Sequence, residues 1–278
     1  MFEIIFLIIL ALIFILVATF QDLRMREVAN WINFSLIIFA LGFRFFWSLF
    51  SESGFGFFYQ GLIGFGIFFI LGNLFYYGRI FAGGDAKLMI AMGAILPFSL
   101  DFFVNLNIFL MFLVLFLFIG AGYGIVWSVV LAFRNGKGFR REFSKRWKAH
   151  RKLSFGVMFI GLILMFLGLV EGAFFGLGVF VFILPYFYLF TKSIDNSCMV
   201  FEIPSSKLRE GDWLSKDLII GNKVINKNWE GLTKAQIKQI SKKFKKVKIK
   251  QGIPFIPVFL ISFLVLVFLW FRGITGFF

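Results

Sequence analysis

The sequence predicts an all-α polytopic membrane protein of about eight transmembrane helices, six as the alternative, with a small α/β cytoplasmic domain inserted before the last helix. Composition predicts it first: 60% of the 278 residues are hydrophobic and 46 are Phe, with mean hydropathy +0.91, outside the range of a water-soluble globule. Apolar run length predicts it second. A hydrocarbon core of roughly 30 Å needs about 20 helical residues, and the chain repeatedly offers such runs. Charge sorting predicts it third, because Lys and Arg gather in alternate connections, as the positive-inside bias requires.

The runs lie at 4–20, 31–50, 55–77, 85–96, 102–133, 153–170, 173–190 and 255–271. The first is expected to stay on the chain, since Glu3 stands where a cleavable signal has a basic region and no small-residue cleavage site follows. Arg24 and Arg26 follow it, nine basic residues lie between Arg134 and Lys152 against Glu142 alone, and fourteen lie between Lys192 and Lys250 against six acids. Glu52, Asp101 and Glu171 mark connections without Lys or Arg. The expected layout therefore has an external N-terminus and the basic connections in the cytoplasm. Glu171-Gly172 divides the stretch 153–190 into two short spans, which keeps both basic segments on one side.

This gives five regions: 1–133 as the transmembrane domain that holds two aspartates, 134–152 as a basic cytoplasmic loop, 153–190 as a transmembrane hairpin, 191–252 as a soluble cytoplasmic domain, and 253–278 as the last span. In the soluble domain, 199–203 and 217–225 read as strands, with turns at 209–212 and at Gly221-Asn222. Thr233 is placed to cap a helix through Ala235, Ile237 and Ile240 into a Lys-rich end. The single Cys198 excludes an internal disulfide, and no Cys or His cluster offers a metal site or points to a cofactor. The +15 net charge is assigned to anionic lipid headgroups and topology rather than to nucleic acid, since no RNA- or DNA-binding signature accompanies it.

Asp85, in Phe81-Ala82-Gly83-Gly84-Asp85-Ala86-Lys87, is the best lead to function. An acid at bilayer depth costs about 2.5–3.5 kcal/mol and marks a site by default. Pro97 closes the run that Asp85 opens, leaving roughly 18 Å of helix, too little to cross. The irregular backbone before it must then be shielded by protein or line a hydrated cavity. Gly83 and Gly84 permit positive φ and a close approach of extended substrate backbone, and Lys87 follows for carbonyl binding or for reaching the surface. Asp22, closing the first run, is the expected partner. A helix N-terminus beside Asp85 and a helix C-terminus beside Asp22 make Asp85 the expected base and Asp22 the expected acid. The bland readings are a helix cap for Asp85, a solvated interfacial residue for Asp22, caps for Asn30 and Asn33, and close helix contacts for Gly61, Gly64, Gly66, Gly120, Gly122 and Gly124. A proton-coupled transporter with an acid pair is the competing class, although no counterpart of residues 81–87 occurs in the second half of the chain.

These same residues carry a resemblance. Gly83-Gly84-Asp85-Ala86-Lys87 resembles the second-aspartate motif of the GxGD membrane aspartyl peptidases, and the segment from Gln21 to Trp31 resembles the first-aspartate segment of their prepilin-peptidase branch. The segments 204–212 and 252–257 are similar to the archaeal preflagellin (archaellin) peptidases. The resemblance implies an aspartic endopeptidase with Asp22 and Asp85 catalytic and Gly83, Gly84 and Lys87 at the active-site turn. It further implies a multi-pass protein of the cell membrane whose active site faces the cytoplasm. Its substrates would be archaellins and pilin-like proteins with class III signal peptides, which lose a short basic leader. Two departures stand out: Ala82 occupies the position of a strict motif's first glycine, and 134–190 has no place in the smallest such enzymes. The lone Cys198 argues against the zinc loop of the bacterial enzymes that also methylate.

Overall fold

A computed structural model of the chain describes residues 1–52, 54–220, 223–228 and 230–273. The chain divides into two compact units, Met1–Gly124 with Ile253–Phe278, and Ile125–Gly252. The soluble domain and the hairpin before it, expected as separate regions, thus share one unit.

The first unit contains α1 (Phe2–Met25), α2 (Asn30–Phe50), α3 (Gly56–Tyr77), α4 (Gly83–Ile95), the opening of α5 (Phe102–Arg134), and the last helix α9 (Ile256–Phe271). Among the described residues six helices are long and apolar enough to cross a membrane: α1, α2, α3, α5 and two in the second unit; α9 is a shorter apolar helix and α4 is shorter still. All eight expected runs are therefore helical. α4 packs on α3, α2 and α1, and Ala86, Leu88, Met89, Ala91, Met92, Gly93, Ala94 and Ile95 are all buried. Beyond its half-buried first turn this short helix is largely enclosed by protein.

Small residues allow that enclosure. A side chain on Gly93 would sit 2.6 Å from the Phe68 Cβ and closer still to the Gly64 carbonyl, so α3 and α4 touch backbone to backbone. Of the six glycines expected at close contacts, Gly61, Gly64 and Gly120 are crowded, whereas Gly66, Gly122 and Gly124 face open space.

In the second unit α6 (Gly136–Leu167) and α7 (Gly172–Ser197) form a hairpin. The segment expected as a basic loop is helical. Lys, Arg and Ala are good helix formers, and Arg146 pairs with Glu142 one turn away at 3.0 Å. β1 (Val200–Pro204), β2 (Trp213–Leu214) and β5 (Lys246–Lys250) make an antiparallel sheet in the order β1-β5-β2, with Val200 opposite Lys250 and Ile203 opposite Val247. β3 (Leu218–Ile220) and β4 (Lys223–Ile225) pair antiparallel within the strand-like stretch expected at 217–225. The turn expected at Gly221-Asn222 lies outside the described residues.

Thr233 caps α8 (Lys234–Lys243) as expected: its hydroxyl accepts the Gln236 N–H at 3.4 Å and its own N–H donates to Gln236 Oε1 at 2.9 Å. Leu208, Leu214, Ile225, Leu232, Ile240, Val247 and Ile249 form the core of this small domain.

Candidate active site

α1 ends where Arg26 turns into the left-handed region at φ 58° and returns its N–H to the Asp22 carbonyl at 2.8 Å. Asp22 thus lies in the last helical turn, and its side chain is buried at 7% exposure. Its Oδ2 accepts the N–H of Ile256, the first residue of α9, at 3.0 Å. The carboxylate therefore caps a helix that begins 234 residues later in the chain. The expectation of a solvated interfacial aspartate is corrected by that burial and that bond.

Asp85 occupies the third position of α4, and its Oδ2 accepts the Ala82 N–H at 3.2 Å. This is the reciprocal half of a capping box; Ala82 has no side-chain oxygen to supply the other half. Gly83 and Gly84 were expected to form a non-helical turn with access to positive φ, and neither takes a positive φ; they are the first two residues of α4. The turn is made one residue earlier, by Ala82 in extended conformation at φ −72°, ψ 164°, which any L-residue can adopt. The departure at Ala82 consequently leaves the turn intact. Just ahead of it, buried Phe81 packs edge-on to Phe75 and Phe116, with centroids 4.9 and 5.7 Å away, and tilts against Phe259 of α9 and Phe255, the residue before that helix.

The two carboxyls lie within electrostatic reach of one another. Arg26 and Tyr123 of α5 share the field of Asp22. Because each carboxylate accepts an N–H at the start of a helix, the dipole argument that made Asp85 the base and Asp22 the acid no longer separates them.

Around the pair, Lys87 Nζ donates to Asn30 Oδ1 at 2.6 Å and Asn33 Nδ2 donates to the Gly84 carbonyl at 3.4 Å. Both tie the beginning of α2 to the beginning of α4, so Asn30 and Asn33 are not helix caps; the N-cap of α2 is Ala29. Gln21 Oε1 accepts the Ala29 N–H at 3.0 Å and closes the turn between α1 and α2. Sequence reasoning missed Tyr123 and the Ile256 N–H, which are brought in only by the tertiary fold. Among the described residues there is no group of three or more His, Cys, Asp or Glu side chains able to hold a metal ion. A polar cavity of about 420 Å³ in the second unit, among Arg146, Lys192, Asp195, Lys227 and Lys250, includes neither aspartate.

Both acids fall inside one stretch that is similar to known proteins, whereas α9, which donates to Asp22, lies outside it. Residues 9–125 match the Type IV leader peptidase family. A curated preflagellin peptidase from Methanococcus maripaludis is 30% identical over 128 residues, which is 44% of this chain and 55% of that protein. The chain thus spans about half the length of the relative it matches. No solved structure matches the chain significantly. The likeness to the leader peptidases covers α1 through most of α5, and so includes Asp22, the whole of α4 and Tyr123.

Proposed function

We propose that this chain is a membrane aspartic endopeptidase of the GxGD type that removes the short basic leader from preflagellin or type IV pilin-like precursors. The observation that carries the reading is the convergence of Asp22 and Asp85, from α1 and α4, within electrostatic reach in the stretch that matches the leader peptidases. The likeness to a preflagellin peptidase supports the substrate class.

In the chemistry this pair is suited to, one ionised carboxylate takes a proton from water as the water oxygen bonds to the scissile carbonyl carbon. The other carboxyl, protonated, donates to the carbonyl oxygen. As the C–N bond of the resulting gem-diol breaks, the leaving nitrogen takes the proton that came from water. A gem-diol hydroxyl returns its proton to the other carboxylate, which restores the pair; the pair titrates as a unit. The backbone of Ala82 to Gly84, which immediately precedes Asp85 and is tethered by Asn33, suits docking of an extended peptide. Lys87 serves by holding α4 to Asn30.

The sidedness follows from charge. Asp22 stands between the first span and Arg24 and Arg26, on the end of α1 that the basic connections mark as cytoplasmic. A basic leader needs acids near its path, and Glu27, Glu202 and Glu210 are candidates alongside Asp22. Anionic lipid headgroups are the expected surroundings of the Lys- and Arg-rich connections.

Incubating membranes that contain the protein with a tagged archaellin precursor and a tagged pilin precursor tests the reaction and the substrate together. Asp22→Asn and Asp85→Asn preserve shape and remove the titratable group. Each is expected to lower cleavage at least about 10³-fold, and wild-type cleavage by either variant would overturn the reading.

A further inference from the structure

Arg44 is a guanidinium in the interior of the membrane unit, fully buried near the C-terminal end of α2. Among the described residues no carboxylate pairs with it. Its partners are carbonyl oxygens: Nε donates to Ala94 at 2.9 Å, Nη1 to Phe57 at 3.0 Å, and Nη2 to Ile95 at 3.2 Å and Pro97 at 2.6 Å. The Phe57 ring lies under the charge, 4.2 Å from the guanidinium carbon.

Three of the four acceptors sit at one place, the C-terminal end of α4. The last carbonyls of any helix lack intrahelical donors, and Pro97 has no N–H to offer. Buried carbonyls left unpaired there would cost on the order of 1–3 kcal/mol each. Arg44 answers all three with a rigid planar fork, and brings its charge to the negative end of the helix dipole. α3 makes room for it: a Cβ on Gly61 would lie 2.9 Å from Nε and nearer still to Cδ.

We infer that Arg44 is a positioning residue, which clamps the C-terminal end of α4 and thereby sets the height of Asp85 opposite Asp22. α4 is one unbroken helix, and Asp85 stands ten residues, about 15 Å, from Ile95. A helix too short to be located by the membrane boundaries needs a fixed point inside the protein, and Arg44 supplies it. The kinetic consequence rests on the proposed roles of Asp22 and Asp85; the geometric one does not.

The test has two arms. Arg44→Lys keeps the charge and loses the fork, and Gly61→Ala leaves Arg44 in the chain but fills its notch. In otherwise wild-type protein each is expected to lower kcat for leader cleavage by about 10²-fold with KM changed by less than about twofold, since a misplacement of about 1 Å carries that penalty. Phe57→Leu removes the ring and none of the hydrogen bonds, and gives a smaller loss in the same direction. Separately, Asp22→Cys and Asp85→Cys are combined in a Cys198→Ser background and the two thiols are joined in membranes by a short bifunctional thiol reagent. The yield is expected to drop when Arg44→Lys or Gly61→Ala is added.

Unchanged cross-linking overturns the inference whatever the rates do. Wild-type rates and yields in both Gly61→Ala and Phe57→Leu overturn it even where Arg44→Lys fails to accumulate. Should Asp22→Asn and Asp85→Asn still cleave, the catalytic reading falls and the cross-linking arm still decides the anchor.

Discussion

α4 and α6 are opposites. α4 has 13 residues and eight of them are buried, with no exposed face to give to lipid; α6 has 32 and only Ser154 and Gly161 are buried. The buried body and C-terminal end of α4 must satisfy their polar groups from within the protein, while its half-buried first turn stays open enough for water to reach Asp85. The carbonyls of Ala94, Ile95 and Pro97 are met by Arg44, the Ala82 N–H by Asp85, and the Gly84 carbonyl by Asn33. α6 meets α7 along one narrow seam and leaves Phe155, Phe159, Ile160, Leu162 and Phe166 outward. Enclosure concentrates constraint, and Asp85 stands on the first turn of the enclosed helix.

The largest effect that would test this contrast is expected at Gly93. In Gly93→Ala the new methyl meets the Gly64 carbonyl and the Cβ of fully buried Phe68, and neither can yield without parting α3 from α4. Overpacking of this kind costs roughly 1–3 kcal/mol or more. Unfolding in detergent micelles is expected to move by at least that much, with cleavage lost as well. Wild-type stability would mean that the two helices part freely and that the enclosure of α4 is loose.

Gly161→Ala makes the same change at the seam of α6 and α7, where the methyl would stand 2.7 Å from the Phe182 nitrogen and 3.0 Å from the Gly178 carbonyl. Here one side of each helix is open, so the hairpin can widen. The expected loss is about 1 kcal/mol in the same unfolding measurement, with leader cleavage within about threefold of wild type because neither aspartate is on these helices. A larger loss of cleavage would show that the second unit takes part in positioning the substrate.

Much of this was readable in the chain. Apolar run length located all six of the described helices that are long and apolar enough to cross a membrane, since such a helix carries a compositional mark that needs no tertiary information. The Asp85 motif and the Thr233 cap were legible because their partners, Ala82 and Gln236, lie three residues away. What escaped depends on residues far apart: Asp22 capping α9 joins positions 234 residues distant, and Arg44 reaches carbonyls more than 50 residues away. Arg44 itself, a charge inside the second apolar run, was a visible signal that a reading centred on acids passes over. β5 escaped for another reason. Lys246 to Lys250 alternates lysines with buried Val247 and Ile249, a period-two pattern that does signal a strand, but one only five residues long and hidden behind the Lys-rich end of the preceding helix. The helical form of 136–152 was hidden by its charge, which was read as a solvated loop although the same residues favour a helix.

The smallest effect is expected on the outward face of α6, and it sharpens the contrast most economically. Phe159 is 65% exposed, so Phe159→Ala removes a large side chain that touches little protein. A buried Phe truncated in this way costs about 3–5 kcal/mol, whereas a surface change falls within about 0.5 kcal/mol. The second value is expected in detergent, with cleavage unaltered. A loss above about 1 kcal/mol would mean that this face is covered by protein rather than by lipid or detergent. α6 would then be a contact surface, and its openness would belong to the single chain alone.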